Sequence, residues 1–161
     1  MTISISTLKG STRPGSTDPV TFLLDTNVIS ELRKPASHVD QTVHRWAQNQ
    51  QPEHTFLSVI SVTELEIGIG RVERRDVAQA RQLTEWLESR VLRAFSGRML
   101  PIDLAVARRS AALDVPDPRP ERDALIAATA LVNDLTVVTR NVSDFSPLGV
   151  RVVNPWQPST P

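Results

Sequence analysis

The sequence contains no cysteine and no tyrosine. Without thiols there is no disulfide frame, no thiolate zinc site, no iron–sulfur cluster and no cysteine nucleophile. Without tyrosine there is no covalent phosphotyrosyl chemistry on nucleic acid. Histidine is scarce, and His38, His44 and His54 fall in no metal-ligand spacing. Lysine occurs only as Lys9 and Lys34, so arginine supplies nearly all of the 18 cations. The bland explanation of that bias is a GC-rich coding sequence. Neither sign of charge is in excess, with 18 basic and 18 acidic side chains. That balance argues against a protein that coats nucleic acid with a broad basic surface. It leaves room for an acidic site edged by local arginines. No apolar run approaches the ~18 residues of a membrane span, and no charged segment followed by an apolar one marks a signal peptide. The expectation is a soluble, cytoplasmic protein.

What remains is a chain of 161 residues, long enough for one domain with a real core. Residues 1–19 are rich in Ser, Thr, Gly and Pro and carry few large apolar side chains. They are expected to form a disordered extension. The domain is expected over 20–156, with a short tail over 157–161. Between the ends, short apolar runs alternate with amphipathic stretches. Strands are expected at 20–24, 55–58 (or on to 60, since Val59 and Ile60 are β-branched), 99–102, 136–139 and 150–153. Helices are expected at 26–34, 39–49, 61–74, 77–95, 104–113 and 123–133. This alternation predicts an α/β fold with a mostly parallel sheet flanked by helices. Ligands of such sheets bind outside the carboxyl ends of the strands.

Those ends carry acids. Asp25 follows the first strand directly, and Asp144 lies in the loop after the fourth. Asp123 opens the helix leading into that fourth strand, and Glu64 lies one turn into the helix after the second. Each has a structural alternative. Asp25 suits a helix cap, Ser61 and Glu64 have capping-box spacing, and Asp144 suits an Asx turn. Asp123 is harder to dismiss, because the helix it opens is apolar nearly all round and should be buried. Asp103 also follows a strand, and reads first as an N-cap. Clustered carboxylates must take up protons or bind a cation. An oxygen-only donor set suits Mg²⁺ or Mn²⁺, an arrangement used for phosphodiester hydrolysis. No nucleophile elbow or P-loop is present.

The motifs then become recognisable. Leu23-Leu24-Asp25-Thr26-Asn27-Val28-Ile29-Ser30-Glu31-Leu32 resembles the opening of PIN-domain ribonucleases, close to the VapC-type toxins of toxin–antitoxin pairs. Ser61-Val62-Thr63-Glu64-Leu65, the run from Asp123 to Ala130, and Thr139-Arg140-Asn141-Val142-Ser143-Asp144-Phe145 resemble the later acidic motifs in order. Asn154-Pro155-Trp156 resembles a frequent end of the FitB-like branch. The resemblance implies that Asp25, Glu64, Asp123 and Asp144 surround Mg²⁺, with Glu64 bound directly or through water. It implies that Asn27, Thr139 and Asn141 hold the carboxylates in place. It further implies an endoribonuclease leaving 5′-phosphate and 3′-hydroxyl ends, a homodimer, and a cognate antitoxin that enters the acidic site. The extension over 1–19 departs from the family pattern, and a start codon assigned too far upstream would explain it. Substrate contacts are expected from Arg71, Arg74, Arg75, Arg119, Arg122 and Arg140. Trp46 reads as core, and Trp156 as a lid on the C-terminal strand; the apolar stripe with Trp86 reads first as core, with a dimer or antitoxin face as the alternative. The alternative functions are a PIN nuclease of RNA processing without an antitoxin, and a catalytically idle PIN-like binding module.

Overall fold

The computed structural model describes residues 18–157. Most of the expected extension (1–17) and of the expected tail (158–161) lies outside the described residues. Within the described residues, five parallel strands form one sheet in the order β3-β2-β1-β4-β5. They are β1 (Phe22–Leu24), β2 (Thr55–Ser58), β3 (Met99–Leu100), β4 (Thr136–Val138) and β5 (Val152–Val153). The α/β fold with a parallel sheet is therefore as expected. The outer strands are shorter than their apolar runs, because pairing ends where only one neighbour is available.

The strands are apolar on both faces because both faces are covered. Leu24, Leu57 and Val138 belong to one core cluster, together with Val28, Leu65, Leu87 and Val91. Leu23 and Val137 belong to the other, with Ile126, Ala127 and Phe145. Register pairs Leu23 with Val137 and Leu24 with Val138. The two-residue alternation of a strand thus sends successive side chains into opposite cores. Burying one such leucine stabilises the fold by about 1.5–3 kcal/mol.

Among the described residues, seven α-helices fill the crossovers: α1 (Thr26–Leu32), α2 (Gln41–Gln48), α3 (Val59–Glu73), α4 (Val77–Trp86), α5 (Leu104–Leu113), α6 (Glu121–Val132) and α7 (Val142–Phe145). Several boundaries differ from expectation. α3 starts at Val59, because the buried Ser58 accepts the Ile60 amide at 3.1 Å and caps it. Ser61 is therefore inside the helix, and its capping-box pairing with Glu64 does not form. α6 starts at Glu121, just after Pro120, whose fixed φ suits a helix entrance. Asp123 thus sits in the first turn rather than at its opening. Residues 142–145, expected as loop, form the short α7. The expected helix 77–95 widens into a π-helical segment over Leu87–Leu92, which keeps Leu87, Val91 and Phe95 all buried. Asp103 caps α5 by accepting the Val106 amide at 2.9 Å.

Strand order reverses at the β1–β4 pair. β2 and β3 lie to one side of β1, and the chain returns across it to lay down β4 and β5. A crevice opens where two adjacent strands send their crossovers in opposite directions.

Candidate active site

Asp25 leaves β1 at this point. Its amide donates to the Val138 carbonyl at 2.9 Å, continuing the β1–β4 ladder by one residue. Its side chain then caps α1, with Oδ1 accepting the Thr26 amide at 2.8 Å. The capping reading and the site reading of Asp25 therefore hold together. The residue is 7% exposed. Its second oxygen, Oδ2, accepts the Thr139 hydroxyl at 2.7 Å and the Asn27 amide nitrogen at 3.2 Å. A carboxylate has about four acceptor positions. Three are taken by these bonds, and one remains on Oδ1.

Thr139, fully buried just past β4, is the hub of the network. While donating to Asp25 it accepts from Asn27 Nδ2 at 3.1 Å and from the Asn141 amide at 3.0 Å. Asn27 Oδ1 in turn accepts the Arg140 amide at 3.3 Å. The supporting residues expected from sequence are thus brought together, Asn141 through its backbone.

Glu64 from α3 and Asp123 from α6 line the same cavity, of about 490 Å³, as Asp25 and Asn27. Asp144 is exposed on α7 and does not line it, yet its charge is felt there. The electrostatics record the crowding. Burial pushes the Asp123 carboxyl up to about 6, helped by the charges of Asp144, Asp25 and Glu64. Burial also raises the pKa of Asp25, against the hydrogen bonds from Thr139 and Thr26 that lower it. Four acids from four separate segments therefore share one field.

Among the described residues, no three His, Cys, Asp or Glu side chains stand close enough to hold a metal ion between them. The donor set fits a hard, hydrated cation nonetheless. Its donors are carboxylate oxygens whose mutual repulsion a cation would relieve. Thr26 Oγ1 is also buried without a hydrogen-bond partner, and Thr26 lines the cavity. A Mg²⁺-like ion is usually held by one or two carboxylates and keeps several waters, so it needs no closed cage.

Of the six arginines expected at the substrate, Arg140 alone lines the cavity. Arg71, Arg74, Arg75, Arg119 and Arg122 are exposed elsewhere. Two cations missed by sequence reading, Arg33 and Lys34, do line it. Their signal lay in the polar stripe Thr26, Ser30, Arg33 and Lys34, which has helical i, i+4 and i, i+7/i+8 spacing. Lys34 is paired with the buried Glu31 at 2.7 Å. That ammonium holds the Glu31 carboxyl below its ordinary range, against the opposing effect of burial. Trp156, expected as a lid on the last strand, packs against the core that holds Leu24 and Val28, and lines the cavity. Trp46 packs edge-on to Phe22 with centroids 5.4 Å apart, and Trp86 is half-buried on the core.

Comparison with known proteins agrees with this geometry. The PIN domain family model matches residues 22–146. The chain is 39% identical to the VapC ribonuclease Y4jK of Sinorhizobium fredii, over 86% of this chain and 99% of that protein. It is 38% identical to the toxin FitB of Neisseria gonorrhoeae, over 84% of this chain and 98% of that one. The solved structure of FitAcB from Neisseria gonorrhoeae superposes with a TM-score of 0.77 at 36% identity, covering 85% of this chain and 99% of the other. With its strand order, its acidic crevice and relatives aligned along nearly their whole length, the chain belongs to the PIN-domain family.

Proposed function

We propose that this protein is a divalent-metal-dependent endoribonuclease, the toxin of a toxin–antitoxin pair, with its nuclease unit over residues 20–156. Mg²⁺ is the expected ion, and Mn²⁺ would serve. The observation that carries the reading is the Asp25–Thr139–Asn27 network set beside Glu64 and Asp123 in one cavity. The kinship to a protein named a VapC ribonuclease and to one named a toxin supports it.

Asp25, Asp123 and Asp144 would hold the ion, and Glu64 would reach it directly or through water. When bound, such an ion stabilises charge building on the phosphate and makes water a better nucleophile at neutral pH. The chain's own groups set the stage. Thr139 and Asn27 fix the Asp25 carboxylate before substrate arrives, so little reorganisation is needed during reaction. Glu64 orients the attacking water in line with the leaving 3′ oxygen. Hydrolysis then leaves a 5′-phosphate and a 3′-hydroxyl. The protein would act in the cytoplasm as a homodimer, restrained by an antitoxin that occupies the acidic site. Among the described residues no helix is long and apolar enough to cross a membrane.

The test is a map of new 5′-phosphate RNA ends after induced expression, with wild type beside Asp25→Asn. Asparagine caps a helix as well as aspartate does, so the fold should survive while cleavage falls by orders of magnitude. Discrete new ends with wild type alone are expected. Identical maps for the two proteins would overturn the reading.

A further inference from the structure

The acidic cavity has a basic rim of unusual construction. Three cations line it: Arg33, Lys34 and Arg140. Lys34 is neutralised by Glu31 at 2.7 Å. Arg33 and Arg140 form no ion pair among the described residues. Each instead lies over a tryptophan. The Arg33 guanidinium carbon is 5.8 Å from the centroid of a Trp86 ring, and that of Arg140 is 5.4 Å from a Trp156 ring. Both tryptophans are half-buried and packed on the same core. Both arginines are exposed.

This arrangement differs from an ordinary solvated arginine. A guanidinium held over an aromatic face by cation–π attraction loses less conformational freedom when its N–H fork is filled. The fork matches phosphate oxygens in pairs. The two sites also stand at different depths. The Arg140 backbone is bonded to Asn27, beside Asp25. Arg33 is the C-cap of α1, whose N-cap is Asp25, about 12 Å away along the helix axis at 1.5 Å per residue.

We infer that Arg33 and Arg140, each braced on a tryptophan, grip backbone phosphates of a single-stranded RNA whose linkage is held at the acidic floor. The inference rests on the proposed nuclease reading and adds to it the two positions that hold the strand. Arg140 takes the phosphate nearer the cleaved linkage, and Arg33 one further along the strand. Contacts of this kind position the substrate and carry no base preference.

The experiment uses the full chain. Binding of a short single-stranded RNA to Asp25→Asn protein is followed by fluorescence anisotropy across a salt series, alone and with Arg33→Gln, Arg140→Gln or both. Cleavage by otherwise wild-type chains carrying the same substitutions is measured beside it. Each substitution should weaken binding about tenfold and reduce the salt slope by about 0.7, the value for one phosphate contact on a single strand. Arg45→Gln, an exposed arginine outside the cavity, should change neither. Arg33→Lys should recover the slope but not all of the affinity, because lysine keeps the charge and loses the fork. Melting curves confirm that each variant is folded. Unchanged binding and slope in the double variant, with wild type still cleaving, overturns the inference and leaves the nuclease reading standing. Absence of cleavage by wild type overturns both. An equal loss of affinity for a poly-glutamate peptide also overturns it, by making the rim a docking site for acidic protein.

Discussion

Thr139 donates its hydroxyl to Asp25 at 2.7 Å across a separation of 114 residues. The bond joins the ends of two neighbouring strands and fixes the carboxylate at the centre of the acidic cleft. The same oxygen accepts from the side chain of Asn27 and the backbone of Asn141. Thr139→Val keeps the shape and removes all three interactions. Activity should fall about 10–100-fold, the usual loss when a group that orients a metal ligand is removed. Thr139→Ser should restore most of it. Cleavage rates at saturating substrate, with a melting curve for each variant, check this.

Asp123 carries a pH signature. Its pKa is raised from 3.8 to about 6 in the folded protein. The native state therefore holds this proton more tightly than the unfolded chain does. Its stabilising contribution is complete below about pH 3.8, and is lost as pH rises through about 6. Asp25 is shifted in the same direction. Metal-free protein should lose stability from these groups between about pH 4 and 7, while Asp123→Asn should flatten that decline and melt higher than wild type near neutrality. Thermal melts across the pH range, with chelator present, decide it.

Addition of Mg²⁺ or Mn²⁺ should raise the melting temperature near neutral pH, by mass action on the folded state. The gain should shrink as pH falls below about 6, where protons compete for the same carboxylates. Asp123→Asn should reduce it at every pH. Calorimetry without RNA tests the ion separately from catalysis. Equal gains for wild type and variant would place the ion elsewhere.

Arg98 is expected to matter for stability and not for chemistry. Its guanidinium donates to the carbonyls of Pro52, Thr55 and Ala94 and stands over the Phe95 ring. It thereby ties the entrance of β2 to the chain leading into β3. Arg98→Met keeps the stem and removes the donors. The cost should be about 1–3 kcal/mol, read from urea unfolding, with cleavage per folded molecule unchanged.

The acids were legible because of where the apolar runs stop. Asp25 follows a strand that must be buried on both faces, and the α/β alternation then assigns it to a crevice. Asn27 and Thr139 follow from the same motifs. The start of α3 was less legible. Val59 and Ile60 are β-branched and read as strand, yet the buried Ser58 turns them into the first helical turn. α7 is four residues long and shows no period. The arginines were hardest to place. Exposure alone gives no direction; the helical spacing of Thr26, Ser30, Arg33 and Lys34 puts the two cations on one face, but not toward which neighbour that face turns. The widened turn over Leu87–Leu92 was hidden because its apolar spacing also suits an unbroken helix.

The reversal of strand order at β1 also has a consequence for synthesis. The first carboxylate is translated early, but the hydroxyl that holds it and the last acid arrive only near residues 139–144. A chain still growing on the ribosome carries Asp25 without its holder and without the fourth charge. On the proposed nuclease reading, cleavage is therefore expected only once β4 and α7 have been made. Premature termination before β4 yields a fragment that lacks both, and on that reading it should not cleave RNA.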